Sequence, residues 1–501
     1  MELIIMTNPK LVNRYTVIIL LCLMLGACNS STTHQQQTNP QTTANTIVVP
    51  VLTELDQQVL NIAKQLQLTG DPSNGRDYPP AQDSRVQLGK QLFFQANLLS
   101  TTPLSCAQCH DPSQGGTIRR ALASGIMAPA IPETIPDYFF HRGRTLLPVR
   151  NAPSTFNSTL WDKTLFHDGR VQALNPTAQH NGSKGGITTP LVKVGEPDLQ
   201  AGRNLPQAAI QLAVMQRSKI TQSFDLTQPL PSMCVINIDE YSTSQEQRFS
   251  PVPNVWLGRF RQGFNMPDGV AVALVTHERT VEALTAYIRS QVFINNPWKH
   301  YLEGNPDAIS ETAKQGALLF FRSAEQGGFD CARCHQGDSF TDEDLHRTLM
   351  PPITLKRPFR SQPEEADYGR WFITHKDEDK FLFRTPSLLN VTETGPWGHN
   401  GAYSTLSAAV RHMLDPVTEA SHYDTSGLSV EGLAADHLAE GLNQMLLYGV
   451  DIPSQKYSHK DLQALIAFLH TLTDPCVKDL ACLKPWLPDN STPVKSTPSS
   501  N

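Results

Sequence analysis

The sequence has no long basic run, no apolar stretch long enough to span a bilayer comfortably, and no alternation of apolar and polar residues that demands a large sheet. The first absence, together with a formal net charge of −6, gives no hint of a nucleic-acid partner. The second leaves lipid anchoring as the expected mode of membrane attachment. The third, with several amphipathic stretches, points to a mainly α fold. Charged residues make up 18% and apolar ones 39% of the 501 positions, an ordinary soluble composition with length for two ordinary domains or one large one. Cysteine is sparse as well, at nine, and most of the nine have a distinct place.

Cys22 and Cys28 lie at the N-terminus. Lys10 and Arg14 precede "YTVIILLCLMLGAC", which ends in Leu25-Gly26-Ala27-Cys28. Basic residues, a short apolar core and small residues before a cut site mark an export signal. The ending resembles a bacterial lipoprotein box, so residues 1–28 are expected to be a lipoprotein signal with Cys28 lipidated. An ordinary signal that happens to carry a cysteine is the alternative. Residues 29–50 are polar and low in complexity, as a tether would be, and 488–501 have the same character. The expected location is the periplasm, anchored by lipid to a bacterial membrane, by expectation the outer one.

Four cysteines sit in two copies of one pattern, "LSCAQCHDP" (104–112) and "FDCARCHQG" (329–337). Cysteines at i and i+3 face the same way on a helical turn, so their thiols can add to both vinyl groups of one porphyrin. The adjacent histidine then reaches the iron, and Cys-x-x-Cys-His reads as c-type haem attachment. Two covalent haems are expected, on Cys106 and Cys109 and on Cys331 and Cys334, with His110 and His335 as proximal ligands. A zinc site using both pairs, or a redox dithiol, is the competing reading. Of the remaining cysteines, Cys476 and Cys482 are close enough to form a local disulfide, and Cys234 has no obvious partner.

The repeat extends beyond the cysteines. "GKQLFF" precedes the first pair and "GALLFF" the second; downstream, "RNAPSTFN" leads to "FHDG", and "RTPSLLN" leads to "GHNG". Pro153 and His167 are fourteen residues apart, Pro386 and His399 thirteen. Two cytochrome c-like haem domains related by duplication follow, over 51–275 and 276–487, with an irregular insertion near 221–265. Helices are expected over "SRVQLGKQLFFQ", "ERTVEALTAYIRSQVF", "SETAKQGALLFFRS" and "KDLQALIAFLHTL", after an opening helix with Leu55, Val59, Ile62, Ala63 and Leu66 on one face.

With "FHDGR", "HERTVEALTAYIRS", "CARCHQGDSFTDE", "FRTPSLLNV" and "GPWGHNG…LSAAVRHM" added, the chain resembles the bacterial dihaem cytochrome c peroxidases and their MauG-type relatives over about 80–200 and 275–475. The resemblance implies a C-terminal high-potential haem that passes electrons to an N-terminal haem, where hydrogen peroxide is reduced to water. It also implies a small cytochrome c or copper protein as donor, and it allows a homodimer. Met413 falls where peroxidases place the axial methionine of the C-terminal haem and MauG-type oxidases place a tyrosine; His412 beside it is the competing ligand. His399 matches a histidine near the haems. Asn151, Thr394 and the carbonyl of Pro396 match residues that hold a calcium ion between the domains, an oxygen set that suits Ca2+.

The peroxidatic side departs from the family pattern. Relatives carry "FWDGR", with the Trp between the haems, and here His167 stands in its place. Trp161 could substitute but reads better as core. Thr177 stands where a Gln is usual, and the distal Glu is out of register. Glu196 is then the candidate acid/base for moving a proton between the peroxide oxygens, with His141 or His167 as alternatives. His141 is also the candidate distal cap of the N-terminal haem. A MauG-type protein-modifying oxidase and a non-catalytic dihaem carrier remain as alternative functions.

Overall fold

The computed structural model describes residues 52–95, 105–123, 150–215, 253–355, 367–428, 433–434 and 438–489. The expectations for Cys28, His141, Cys234, the N-terminal tether, the C-terminal tail and most of the 221–265 insertion fall outside these residues.

Helices begin where a hydroxyl or carboxylate side chain precedes an apolar-periodic run, because that side chain satisfies an otherwise unpaired N–H. Thr53 starts α1 (Glu54–Gln65) with a reciprocal cap: its hydroxyl accepts from the Asp56 N–H and its own N–H donates to the Asp56 carboxylate. Val59 and Ala63 are buried, whereas Leu66, at the helix end, is 47% exposed. Asp83 caps α2 (Ser84–Phe94). α3 (Leu205–Met215) and α4 (Pro253–Gly263) follow. Thr276, Ser310, Thr405 and Ser458 then cap α5 (His277–Arg289), α6 (Glu311–Phe321), α7 (Leu406–Leu414) and α8 (His459–His470). Strands among the described residues are two or three residues long; the largest group is the antiparallel set Thr164–Leu165, Val171–Ala173 and Ile187–Thr188. The fold is mainly α.

Two helix pairs are built on the same contact. α2 crosses α5 at Gly89, where an added Cβ would stand 1.9 Å from the Ala283 carbonyl oxygen and 2.8 Å from the Tyr287 Cβ. α6 crosses α8 at Gly316, with the corresponding distances 1.9 Å to the Ala464 oxygen and 2.9 Å to the Phe468 Cβ. Asn157 and Asn390, both at left-handed φ of 60° and 62°, donate their N–H groups to carbonyls just beyond α5 and α8, Gln291 and Leu472. Each pair organises a lobe.

The lobes do not divide where the sequence suggested. A boundary between 275 and 276 assigns α5 to the second half, yet its Val281, Leu284 and Tyr287 are buried with Leu88, Leu92 and Phe93 of α2. α1, expected in the first half, packs on α6, where Asp56 pairs with Lys314 at 2.8 Å. Leu160, Leu165, Val171 and Leu212 from the first half share one core with Phe320, Leu465 and Phe468 from the second. The end of the expected irregular insertion is α4, since Trp256 and Phe260 at i and i+4 bury one helical face against α2. A disulfide joins Cys476 and Cys482, and the segment carrying it crosses back onto the first lobe.

Candidate haem-binding and inter-lobe site

Both Cys-x-x-Cys-His segments form a single tight turn. Cys109 and His110 donate their N–H groups to the Cys106 carbonyl at 3.2 and 3.0 Å; Cys334 and His335 do the same to Cys331 at 3.3 and 3.0 Å. None of the four cysteines is in a disulfide. His110 Nδ1 lies 3.0 Å from the Pro153 carbonyl oxygen, and His335 Nδ1 lies 3.0 Å from that of Phe340. A carbonyl can only accept, so each Nδ1 carries the proton and each Nε2 keeps its lone pair for a metal. Burial pushes both imidazoles below their ordinary pKa, which keeps them neutral. Two adjacent thiols and an oriented Nε2, present twice, fit covalently attached haem.

Other metal readings fit less well. Among the described residues no group gathers the four motif cysteines. Cys334, Asp342 and His346 do bring three ligand atoms within 4.8 Å, but a haem thioether on Cys334 would remove the thiolate from that set. His346 is raised to about 10 by its hydrogen bonds to Asp342 and to the Cys334 sulfur.

On α7, His412 and Met413 face different ways. His412 is fully buried, with Nε2 2.8 Å from the Thr348 carbonyl and Nδ1 2.9 Å from the Tyr403 hydroxyl. Both ring nitrogens are engaged within the protein, and burial lowers its pKa to about 4. Met413 makes one face with Leu406 and Val410 at i−7 and i−3, and it is 38% exposed.

The inter-lobe residues singled out in the sequence come together. Asn151 Nδ2 donates to the Pro396 carbonyl at 2.9 Å, and Asn151 Oδ1 is buried without a hydrogen-bond partner. The Thr394 hydroxyl has a long contact of 3.4 Å to the Val391 oxygen. An orphaned amide oxygen beside a backbone carbonyl fits a calcium ion, which takes oxygen ligands of this kind. The Asn151 N–H donates to the His399 carbonyl at 2.8 Å, and His167 Nε2 donates to the Asn151 carbonyl at 3.1 Å. His399 stacks on Phe383 with ring centroids 3.7 Å apart. Burial first, then His399, Arg150 and Arg384 nearby, push His167 down to about 3, so it is neutral at physiological pH.

Around them lies a buried ionic network that sequence reasoning missed. Arg150 forks onto Asp367 of the second lobe at 2.7 and 2.8 Å and reaches Asp168 at 2.6 Å; Arg170 also pairs with Asp168 at 2.8 Å. Nothing local marks Arg150 and Asp367 as partners, because they are 217 residues apart. Trp161 is a core residue, with the Arg384 guanidinium over its ring at 4.3 Å.

Glu196 does not join this site. It lies on an exposed turn closed by its own N–H to the Lys193 carbonyl, and among the described residues no hydrogen bond or ion pair links it to the Cys106–His110 segment. A carboxylate that relays a proton between peroxide oxygens must reach both from a sheltered position, which this turn does not provide. Its selection by nearest downstream position failed because the intervening insertion removes the register.

Residues 83–307 match the family model described as di-haem cytochrome c peroxidase. Among curated relatives, cytochrome-c peroxidase IdrP2 of Pseudomonas sp. (strain SCT) is 24% identical over 83% of this chain and 90% of its own length. The cytochrome c551 peroxidase of Pseudomonas aeruginosa is 24% identical over 67% and 72%, and the methylamine utilization protein MauG of Methylorubrum extorquens 24% over 67% and 70%. Among solved structures, the diheme peroxidase BthA from Burkholderia thailandensis aligns over 82% of this chain and 90% of its own, at 21% identity and a TM-score of 0.44.

Proposed function

Since the chain belongs to the dihaem cytochrome c peroxidase and MauG superfamily, we propose that it is a c-type peroxidase that reduces hydrogen peroxide to water with electrons from a small redox protein. One observation carries the reading: two Cys-x-x-Cys-His turns, each with its histidine Nδ1 committed to a backbone carbonyl at 3.0 Å. The matching helix pairs support descent of the two lobes by duplication. Cys106, Cys109 and His110 would hold the peroxidatic haem; Cys331, Cys334 and His335 would hold the haem that receives electrons. Met413 would supply the thioether to the second haem's iron in this reading, because both nitrogens of its neighbour His412 are already bonded. A thioether ligand favours ferrous iron and raises the potential, as an electron-storing centre requires. Asn151, Pro396 and Thr394 would hold calcium at the junction. Lipidation of Cys28, a periplasmic location and a small cytochrome c or copper-protein donor complete the proposal.

A MauG-type oxidase acting on a partner protein is the second reading, favoured by His167 in the place of the family Trp and by the displaced Glu196. A carrier with both irons permanently capped is the third. Half-reduced holoprotein mixed rapidly with peroxide, with and without reduced cytochrome c, separates them. Steady turnover with the cytochrome is expected; a single oxidation without turnover points to the oxidase, and no reaction with peroxide to the carrier. Met413→Leu is expected to lower the higher of the two midpoint potentials, and an unmoved couple would remove Met413 from the ligand set.

A further inference from the structure

Buried arginines near the lobe junction are matched by good acceptors. Arg150 has two aspartates, and Arg370 donates to the carbonyls of Asp168 and Gly169 and to Gln172 Oε1 at 2.6–3.1 Å. Arg384 departs from this pattern. It is 6% exposed, yet among the described residues its guanidinium donates to the carbonyl oxygens of Phe166 and Thr385, from Nε and Nη1 and each at 3.2 Å, and to no carboxylate. Among the described residues no carboxylate lies within ion-pair distance of it.

The acidic groups in its electrostatic range are otherwise engaged. Glu343 accepts the backbone N–H groups of Asp162, Lys163 and Thr164 at 2.7–3.0 Å, and Asp342 accepts from His346 Nε2 at 2.8 Å and from the Asp344 N–H at 2.9 Å. Trp161 covers one face of the guanidinium. A buried cation left this way is costly unless an anion reaches it, and a planar fork suits a carboxylate.

Arg384 also stands beside the second Cys-x-x-Cys-His segment. The Asp342 N–H donates to the Cys334 carbonyl at 2.7 Å, Leu345 pairs with Arg384 across a short antiparallel ladder, and the Thr341 hydroxyl donates to the Thr385 carbonyl at 2.7 Å. We propose that Arg384 is a carboxylate-binding residue whose ligand is a propionate of the haem carried by Cys331 and Cys334, with Trp161 as the positioning residue that fixes the guanidinium plane. This rests on the reading of the Cys331 segment given above. A fixed cation at a propionate favours the reduced, less positive cofactor, so Arg384 raises the potential of that haem.

Redox titration of the holoprotein, followed optically, tests this in Arg384→Gln and Arg384→Lys, with haem content checked by pyridine haemochrome. In Arg384→Gln the more positive midpoint is expected to shift negative while the other stays in place. Arg384→Lys, which keeps the charge without the fork, should show a smaller shift in the same direction and serves if the Gln variant does not fold. Unmoved midpoints with both haems attached, or a shift of the lower couple alone, overturn the proposal. Acetate added to wild type and variant separates the sources of carboxylate. Saturable movement of the midpoint in wild type, absent from Arg384→Gln, would mean an open site for free carboxylates and would also overturn it. If Met413→Leu lowers the high couple and the Arg384 variants do not, this inference fails alone; if wild type carries no haem on Cys331 and Cys334, the functional reading fails first.

Discussion

Asp56 is 1% exposed and has three side-chain partners: Lys314 at 2.8 Å, the Thr53 hydroxyl at 2.7 Å and the Tyr301 hydroxyl at 3.0 Å. Burial alone would raise its pKa, but Lys314, then Thr53 and Tyr301, outweigh it and bring it from 3.8 to about 2. A folded pKa below the unfolded one contributes stability above pH 4, which is lost as pH falls through 3.8 toward 2. Asp56→Asn is expected to cost about 3 kcal/mol at neutral pH, because it leaves a largely buried ammonium short of one partner. Urea unfolding of both proteins across pH 2 to 5 checks the origin of that cost: the gap should narrow toward pH 2, and a pH-independent gap would assign it to packing instead. At this scale the sequence was legible where chemistry is written in adjacent residues, as in Cys331, Cys334 and His335. It was not legible for Asp56–Lys314 or Arg150–Asp367, whose partners meet only through the tertiary fold.

Between elements, the decisive contacts are the two glycine crossings. "GKQLFF" and "GALLFF" are visible as repeats in the sequence, and so are the helices they end, because 3.6-residue periodicity and capping residues are local signals. The partner helix is not a local property, which is why α5 fell on the wrong side of the expected boundary. The structure supplies the reason each glycine is there: a Cβ at 89 or 316 would stand 1.9 Å from a carbonyl oxygen of the facing helix. Backbone cannot move aside as a flexible side chain can, so the helices must separate. Gly89→Ala and Gly316→Ala are each expected to destabilise by about 3 kcal/mol. The losses should be similar in the two lobes, as measured by thermal unfolding and by the yield of haem-loaded protein. A neutral Gly316→Ala would show that α6 and α8 are packed more loosely than α2 and α5.

Across the whole molecule, the C-terminal segment ties the second lobe to the first. Leaving α8, Asp474 accepts the Asn295 N–H at 2.8 Å while its own N–H donates to Asn390 Oδ1 at 2.9 Å. Val477 and Leu483, on either side of the Cys476–Cys482 bridge, are buried with Phe156 and Phe293. The Tyr287 hydroxyl of α5 donates to the Trp486 carbonyl at 2.7 Å, and Trp486 Nε1 donates to the Ser290 hydroxyl at 3.0 Å. Lys478 and Arg119 converge on Glu393 at 3.1 and 2.8 Å, next to Thr394 of the proposed calcium site. The bridge closes a loop of only six residues in sequence, so the chain-entropy contribution is about 2 kcal/mol. What the loop covers, however, is the back of the first helix pair. Replacing both cysteines by serine is therefore expected to loosen one lobe selectively. Hydrogen exchange should quicken in α2 and α5 while α6 and α8 keep their protection, and the total loss of stability should be about 2 kcal/mol. Equal loss of protection in both helix pairs would mean that the shared core, rather than this segment, sets the stability of the first lobe.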